Sequence, residues 1–304
     1  MIQRHCPKAT SILATFLVLG CMNFIQSVCY ANEPIKILWL GSSSTYVHDM
    51  PQQAGHWLAE SEHFDTVSTF LTGKSGTGFH EYMRKGFKAQ YGLELGRTLV
   101  DKISRDRFDY VVIQQITYFM ADSDSTEIIN DTETLCKTIR QAGGEPVFYE
   151  MGWRTEPLNE TGRQMILREA RKNSVTLYAP CSSAWTRVRQ ERPDLELFNL
   201  PDTDHPGTLG TYLNMCCFYA AFTGKPPQNV SQTIFRWPLF GRFDKDLARK
   251  RLETLTLDPY HAAMPGWMQL ISSMRWQESI DPEIAEYLQN TAFAVYQEKS
   301  SQLK

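Results

Sequence analysis

Ile35-Lys36-Ile37-Leu38-Trp39-Leu40-Gly41-Ser42-Ser43-Ser44-Thr45 is a short apolar run stopped by a glycine and three serines. Such a run suits a parallel strand covered on both faces, with its carboxyl end opening into a site-forming loop. The signature returns downstream. Residues 66–71 read as a second strand before the glycine-rich Gly73-Lys74-Ser75-Gly76-Thr77-Gly78. Residues 109–113 read as a third that gives way to Gln114-Gln115, 146–151 as a fourth and 175–179 as a fifth. Between them, helices are predicted over 51–60, 93–104 with Leu95, Leu99 and Ile103 in helical spacing, 132–141 and 162–172. Strand and helix alternate with crossovers long enough for helices. The economical architecture is therefore a three-layer α/β/α sandwich around a central parallel sheet. Ligand sites in such sheets form beyond the carboxyl ends of the strands, where each polar cluster named above falls.

The 304 residues are 42% hydrophobic and 21% charged with a formal net charge of −3, an ordinary globular composition. Positive charges are scattered and form no basic stripe with interleaved aromatics, so no nucleic-acid partner is expected. Residues 1–31 read as an export signal, with Arg4 and Lys8 ahead of an apolar run from Ile12 to Leu19 and a small-residue cut after Ala31. The same segment also approximates a lipoprotein signal at Val18-Leu19-Gly20-Cys21. Both readings predict an exported protein, periplasmic or extracellular; the second ties it to a membrane through lipid on Cys21, as an uncleaved apolar segment would by acting as an anchor. Residues 32–230 are expected to form the α/β domain. Residues 231–304, rich in aromatics and with helices expected near 267–275 and 282–297, are read as an extension packed on that domain. After His205, the spacing of Leu209, Tyr212, Leu213, Cys216 and Ala220 predicts a helix with one buried stripe, closed near Gly224. Cys136, Cys181, Cys216 and Cys217 lack metal-ligand spacing. The adjacent pair reads as core, and a bridge between Cys136 and Cys181 is open in an oxidising compartment.

Pro201-Asp202-Thr203-Asp204-His205-Pro206 carries the clearest chemistry. An aspartate three residues before a histidine can fix one imidazole tautomer and leave the other nitrogen to take a proton. The partner such a pair needs is an activated hydroxyl, and the serine cluster after the first strand supplies the candidates Ser42, Ser43 and Ser44.

Taken in order and at these intervals, Gly41-Ser42-Ser43-Ser44-Thr45, Gly76, Gln114 and the Asp202–His205 pair resemble the SGNH/GDSL hydrolases, over about residues 35–227. Tyr46 with Asp49-Met50-Pro51, and His205-Pro206 with Gly210-Thr211-Tyr212-Leu213, look more narrowly like an exported bacterial branch of that superfamily. The resemblance implies a flavodoxin-like sheet, Ser43 as nucleophile, His205 as base oriented by Asp202, and an oxyanion hole from the Gly76 amide and the Gln114 side chain. It implies no cofactor. The chain departs from the family in two places. Ser42 stands where Asp or Asn is usual, so the choice among the three serines rests on register. Gln114-Gln115-Ile116-Thr117 replaces the common Gly-x-Asn-Asp, so either glutamine could serve.

The resulting expectation is an exported serine esterase acting on small acyl esters, with acetyl groups on carbohydrate as substrate class. Two rivals stand beside it. One is a catalytically silent glycan-binding module, suggested by the altered blocks. The other is a metal-dependent phosphoesterase using Asp202, Asp204, His205, His48 and Asp49, although no HExxH or paired-His spacing supports it. Gly73-Lys74-Ser75 does not complete a phosphate loop, because Ser68 stands where that loop needs glycine. His56, His63, His80 and His261 read as surface or capping residues, and Trp153 and Tyr46 as either a sugar-binding wall or core.

Overall fold

Alternation along β1, Ile35–Gly41, sets the layers of the computed structural model. Ile37 and Trp39 enter one apolar cluster, while Leu38 and Leu40 enter another on the opposite face. The structure describes residues 33–83, 91–94, 96–121, 125–152, 158–238, 246, 250, 253 and 258–304. The export segment with Cys21, Leu95 and Trp153 lie outside the described residues.

Five strands form a parallel sheet in the order β2-β1-β3-β4-β5, with β2 Val67–Gly73, β3 Tyr110–Ile116, β4 Glu145–Met151 and β5 Leu177–Ala179. The longer helices are α1 Met50–Ala59, α2 Leu99–Asp106, α3 Ser125–Gln141, α4 Leu158–Lys172, α5 Cys181–Glu191, α6 Thr208–Thr223, α7 Gly266–Ser273 and α8 Pro282–Leu303. Residues of α1, α5, α6 and α8 pack on the Trp39 face, and those of α2, α3 and α4 on the Leu38 face. This is a three-layer α/β/α sandwich. Strand order reverses between β1 and β3, so the connections leaving them diverge and open a crevice at the carboxyl edge of the sheet. A separate antiparallel pair, β6 Thr233–Arg236 and β7 Trp276–Ser279, is formed by the region beyond residue 230.

Several boundaries differ from those read in the sequence, each for a local reason. β3 does not end at Ile113; it continues through Gln114 and Gln115, which pair in register with Tyr149 and Glu150. Its polar end is tolerated because both side chains find partners inside the protein. The helix expected from residue 93 starts at Leu99, where Thr98 Oγ1 accepts from the Asp101 N–H (3.2 Å) and Asp101 accepts from the Thr98 N–H (2.9 Å), a reciprocal cap.

α6 is buried around most of its circumference rather than along one stripe. α8 covers the side that would otherwise meet water: Ala285, Leu288, Ala292 and Val295 join its apolar cluster, and Gln289 Nε2 donates to Tyr212 Oη (2.7 Å). Cys136 lies in the cluster on one face of the sheet and Cys181, Cys216 and Cys217 in the cluster on the other. All four thiols are free, and the intervening sheet keeps a Cys136–Cys181 bridge from forming. Among the described residues no helix is long and apolar enough to cross a membrane.

Candidate active site

The turn after β1 is built for close approach. A side chain at Gly41 would meet Thr45 Oγ1 at 2.0 Å and Gln114 Oε1 at 2.8 Å, so only glycine lets the chain fold back into the single helical turn Ser43–Tyr46. Ser42 precedes that turn, and its carbonyl accepts from the Thr45 N–H (2.9 Å). Ser42 and Ser44 are buried, whereas Ser43 is half-buried and is the most open of the three serines.

A cavity of about 170 Å³ lies beside this turn and is lined by all three serines, Ser42, Ser43 and Ser44, together with Gly76 and His205. Ile116, Tyr118 and Met151 supply an apolar wall at the ends of β3 and β4, and Asp204 lies at the rim. Gly76 follows β2 in the left-handed region (φ 71°), where a non-glycine residue would be strained. Its loop is tied to the serine turn by Tyr46 Oη and Ser75 Oγ at 2.5 Å. Tyr46 is thus a buried strut, not part of a sugar-binding wall. Burial is also the main reason its phenol is held protonated well above the usual range.

Asp202 and His205 sit on a loop closed by antiparallel backbone bonds: Asn199 N–H donates to His205 O (3.0 Å) and Gly207 N–H to Leu197 O (2.8 Å). Asp202 Oδ1 accepts from the Asp204 N–H (2.7 Å), while Oδ2 pairs with His205 Nδ1. Nε2 is then the nitrogen left for proton transfer on a ring that lines the cavity. Among the described residues no hydrogen bond joins Ser43 Oγ to that ring. Catalytic hydrogen bonds are often loose before substrate binds.

Gln114 does not stand on the cavity wall. It lies beneath the serine turn, where Oε1 accepts from the Ser42 N–H (2.6 Å) and the buried Nε2 has no acceptor among the described residues. Gln115 points to the other face of the sheet and donates to Thr132 Oγ1 (3.3 Å). Gln114 is therefore the glutamine that touches the serine turn, and its visible role is to hold that turn rather than to face an oxyanion.

His48 and Asp49 are brought close to the site, but neither is disposed as a metal ligand. His48 Nδ1 accepts from the Trp237 N–H (2.8 Å) and Nε2 donates to the Pro206 carbonyl (3.1 Å), so both ring nitrogens are occupied. Burial, then the nearby Arg236 charge, lowers its pKa to about 3 and keeps it neutral. Asp49 is buried and accepts from Trp237 Nε1 (3.0 Å), Ser272 Oγ (2.7 Å), Arg275 Nη1 (3.2 Å) and His261 Nε2 (3.2 Å). Burial pushes its carboxyl upward, but the His261 hydrogen bond and charge with Arg275 outweigh it and hold the pKa below the ordinary value.

His261, expected as a surface or capping residue, is buried between Asp49 and Asp258. Burial opposes its proton, yet the two carboxylates raise its pKa to about 9. Nothing in the residues around Asp258-Pro259-Tyr260-His261 marks this in the sequence except the Asp-x-x-His spacing itself. His56 does lie at the surface, beside Glu60 at 3.2 Å.

No family model matches the chain, and no curated protein does. Among solved structures it is similar to a gut microbial diltiazem-metabolizing enzyme, with 14% identity, a TM-score of 0.35, and 64% of this chain and 48% of that one covered. The chain thus spans about half the length of that enzyme, and a likeness of this size carries no functional argument.

Proposed function

We propose that this chain is an exported serine hydrolase of the SGNH/GDSL type that cleaves small acyl esters through an acyl-enzyme. One observation supports it above the others: segments after β1 and β2 and before α6 contribute Ser43, Gly76 and His205 to one cavity, with Asp202 on the far nitrogen of the histidine.

In this reading His205 Nε2 takes the Ser43 hydroxyl proton as Oγ attacks the ester carbonyl, and Asp202 stabilises the imidazolium that forms. The tetrahedral oxyanion accepts from the Ser43 and Gly76 backbone N–H groups. His205 returns the proton to the departing alcohol. Water then attacks the acyl-enzyme and gives a proton to His205, which passes it to Ser43 Oγ as the acid departs, restoring the free enzyme. The cavity of about 170 Å³ beside Ser43 admits a short acyl group such as acetyl. Carbohydrate as the alcohol half rests on the family resemblance alone.

Purified protein should hydrolyse p-nitrophenyl acetate, lose activity to a fluorophosphonate, and carry the label on Ser43. A chelator should leave the rate unchanged. Absence of both turnover and label would replace this reading with the glycan-binding one, and a label on Ser42 or Ser44 would correct the register.

A further inference from the structure

We propose that His48 and Arg236 are positioning residues that together brace the loop carrying Asp202 and His205 against the segment carrying Ser43. The inference rests on the hydrolase reading above for its catalytic consequence, but its geometry stands on separate observations.

His48 lies five residues after Ser43, and its ring bridges two other parts of the chain. The Trp237 backbone N–H can only donate, so Nδ1 must accept; Nε2 then carries the hydrogen that goes to the carbonyl of Pro206, the residue directly after His205. The tautomer is fixed without choice. His48 and Asp49 both adopt left-handed backbone, φ 62° and 55°, a conformation that costs free energy at non-glycine residues and persists only where the surroundings enforce it. Here Trp237 enforces it twice, donating its backbone N–H to His48 and its indole N–H to Asp49.

The second brace comes from the end of β6. Arg236 donates through Nη2 to Asn199 Oδ1 (2.6 Å) and through Nη1 to Thr208 Oγ1 (3.2 Å), which flank the Asp202–His205 loop on its two sides. Glu278 of β7 holds the same guanidinium at 3.0 Å. One planar fork thus spans the base of the loop, a geometry that lysine cannot reproduce. The β6–β7 pair, which carries no motif of its own, becomes the bracket that sets where the His205 ring stands relative to Ser43.

Two substitutions separate the halves of the His48 bridge. In His48→Asn the side-chain oxygen can replace Nδ1 but nothing reaches Pro206; in His48→Gln the amide nitrogen can replace Nε2. With p-nitrophenyl acetate as substrate and active sites titrated by fluorophosphonate, His48→Asn should lower kcat per site on the order of a hundredfold, the scale of a ~1 Å misplacement, with KM nearly unchanged. His48→Gln should restore most of that loss, and Arg236→Gln should lower kcat in the same direction.

A second readout does not depend on turnover: the hydrogen-bonded Nδ1–H proton of His205, observed by NMR, should shift or broaden in His48→Asn, stay near its position in His48→Gln, and leave the His261 signal unmoved. Folded His48→Asn with an unchanged His205 signal overturns the brace, whether or not the wild type is an esterase. Active wild type with an unchanged kcat in His48→Asn and Arg236→Gln overturns it as well, while leaving the hydrolase reading intact. Should His48→Asn fail to fold, Arg236→Gln decides by both readouts, since that side chain is a quarter exposed.

Discussion

Asp202–His205 and Asp258–His261 have the same spacing and the same first contact, an aspartate carboxylate on the Nδ1 of the histidine three residues later. They are opposite in chemistry. The His205 side chain is a quarter exposed and its second nitrogen belongs to a ring that lines a cavity. His261 is buried, and its second nitrogen is taken by the Asp49 carboxylate. Two carboxylates hold its proton to about pH 9, which makes it a structural cation rather than a base. What sets the two pairs apart is the partner of Nε2, and for His261 that partner, Asp49, is supplied from more than two hundred positions away.

The sharpest way to break the comparison is to remove each imidazole. His205→Ala, like Ser43→Ala, should reduce kcat for p-nitrophenyl acetate by about four to six decades while the melting temperature stays close to wild type. His261→Gln should do the reverse, keeping kcat per titrated site and lowering the Tm, because Asp49 loses one of its charged partners. A His261→Gln protein that melts normally but does not turn over would end the distinction.

The aspartates should divide the same way with a smaller effect. Asp202→Asn is expected to cost about four decades in kcat by imposing the wrong tautomer on His205. Asp258→Asn should be visible only in stability: the amide oxygen can still accept from the His261 N–H, and the loss is that of one part-exposed carboxylate facing the His261 cation, about 1 kcal/mol or less, or a few degrees in Tm. Gln114→Ala comes next. It leaves the Ser42 N–H without its acceptor and loosens the nucleophile turn, so kcat should fall by one to two decades, on the order of what a ~1 Å displacement costs.

Stability should also depend on pH. A histidine whose folded pKa is raised to about 9 from 6.5 stabilises fully below 6.5, and that contribution is lost as pH rises through 9. His48, lowered to about 3, has the opposite sign: its contribution is present above 6.5 and is lost as pH falls toward 3. Thermal melts across this range should therefore decline on both sides of neutrality. The alkaline limb should flatten in His261→Gln; an unchanged slope there would show that His261 is not the group titrating.

Local pattern made the sheet legible. β1, β4 and the carboxyl-end location of the polar clusters follow from apolar runs that stop at glycine or polar residues, because burial on both faces leaves that trace in the sequence. α5 left none. Its N-terminus has no local side-chain cap; instead Glu150, buried on β4, accepts from the Ser183 N–H (2.7 Å), a contact across 33 residues. The near-complete burial of α6 was equally hidden, since its outer side is covered by a helix that begins about sixty residues later.

At the site, the Asp202–His205 pair was readable because its contact is local, whereas Gln114 was assigned to the cavity when it lies under the turn. The His48, Arg236 and Trp237 contacts were invisible for the same physical reason as α6. They join segments up to 189 residues apart, and no spacing rule reports such a meeting.

The near-complete burial of α6 also has a consequence for synthesis. This helix follows the Asp202–His205 loop directly, and the cover for its outer side lies in α8, some eighty residues further along at its far end. At about 5–20 residues per second, a nascent chain would display an uncovered apolar rod for several seconds before its lid is made. Over that interval the bare side of α6 is an aggregation-prone surface of the kind a holding chaperone covers.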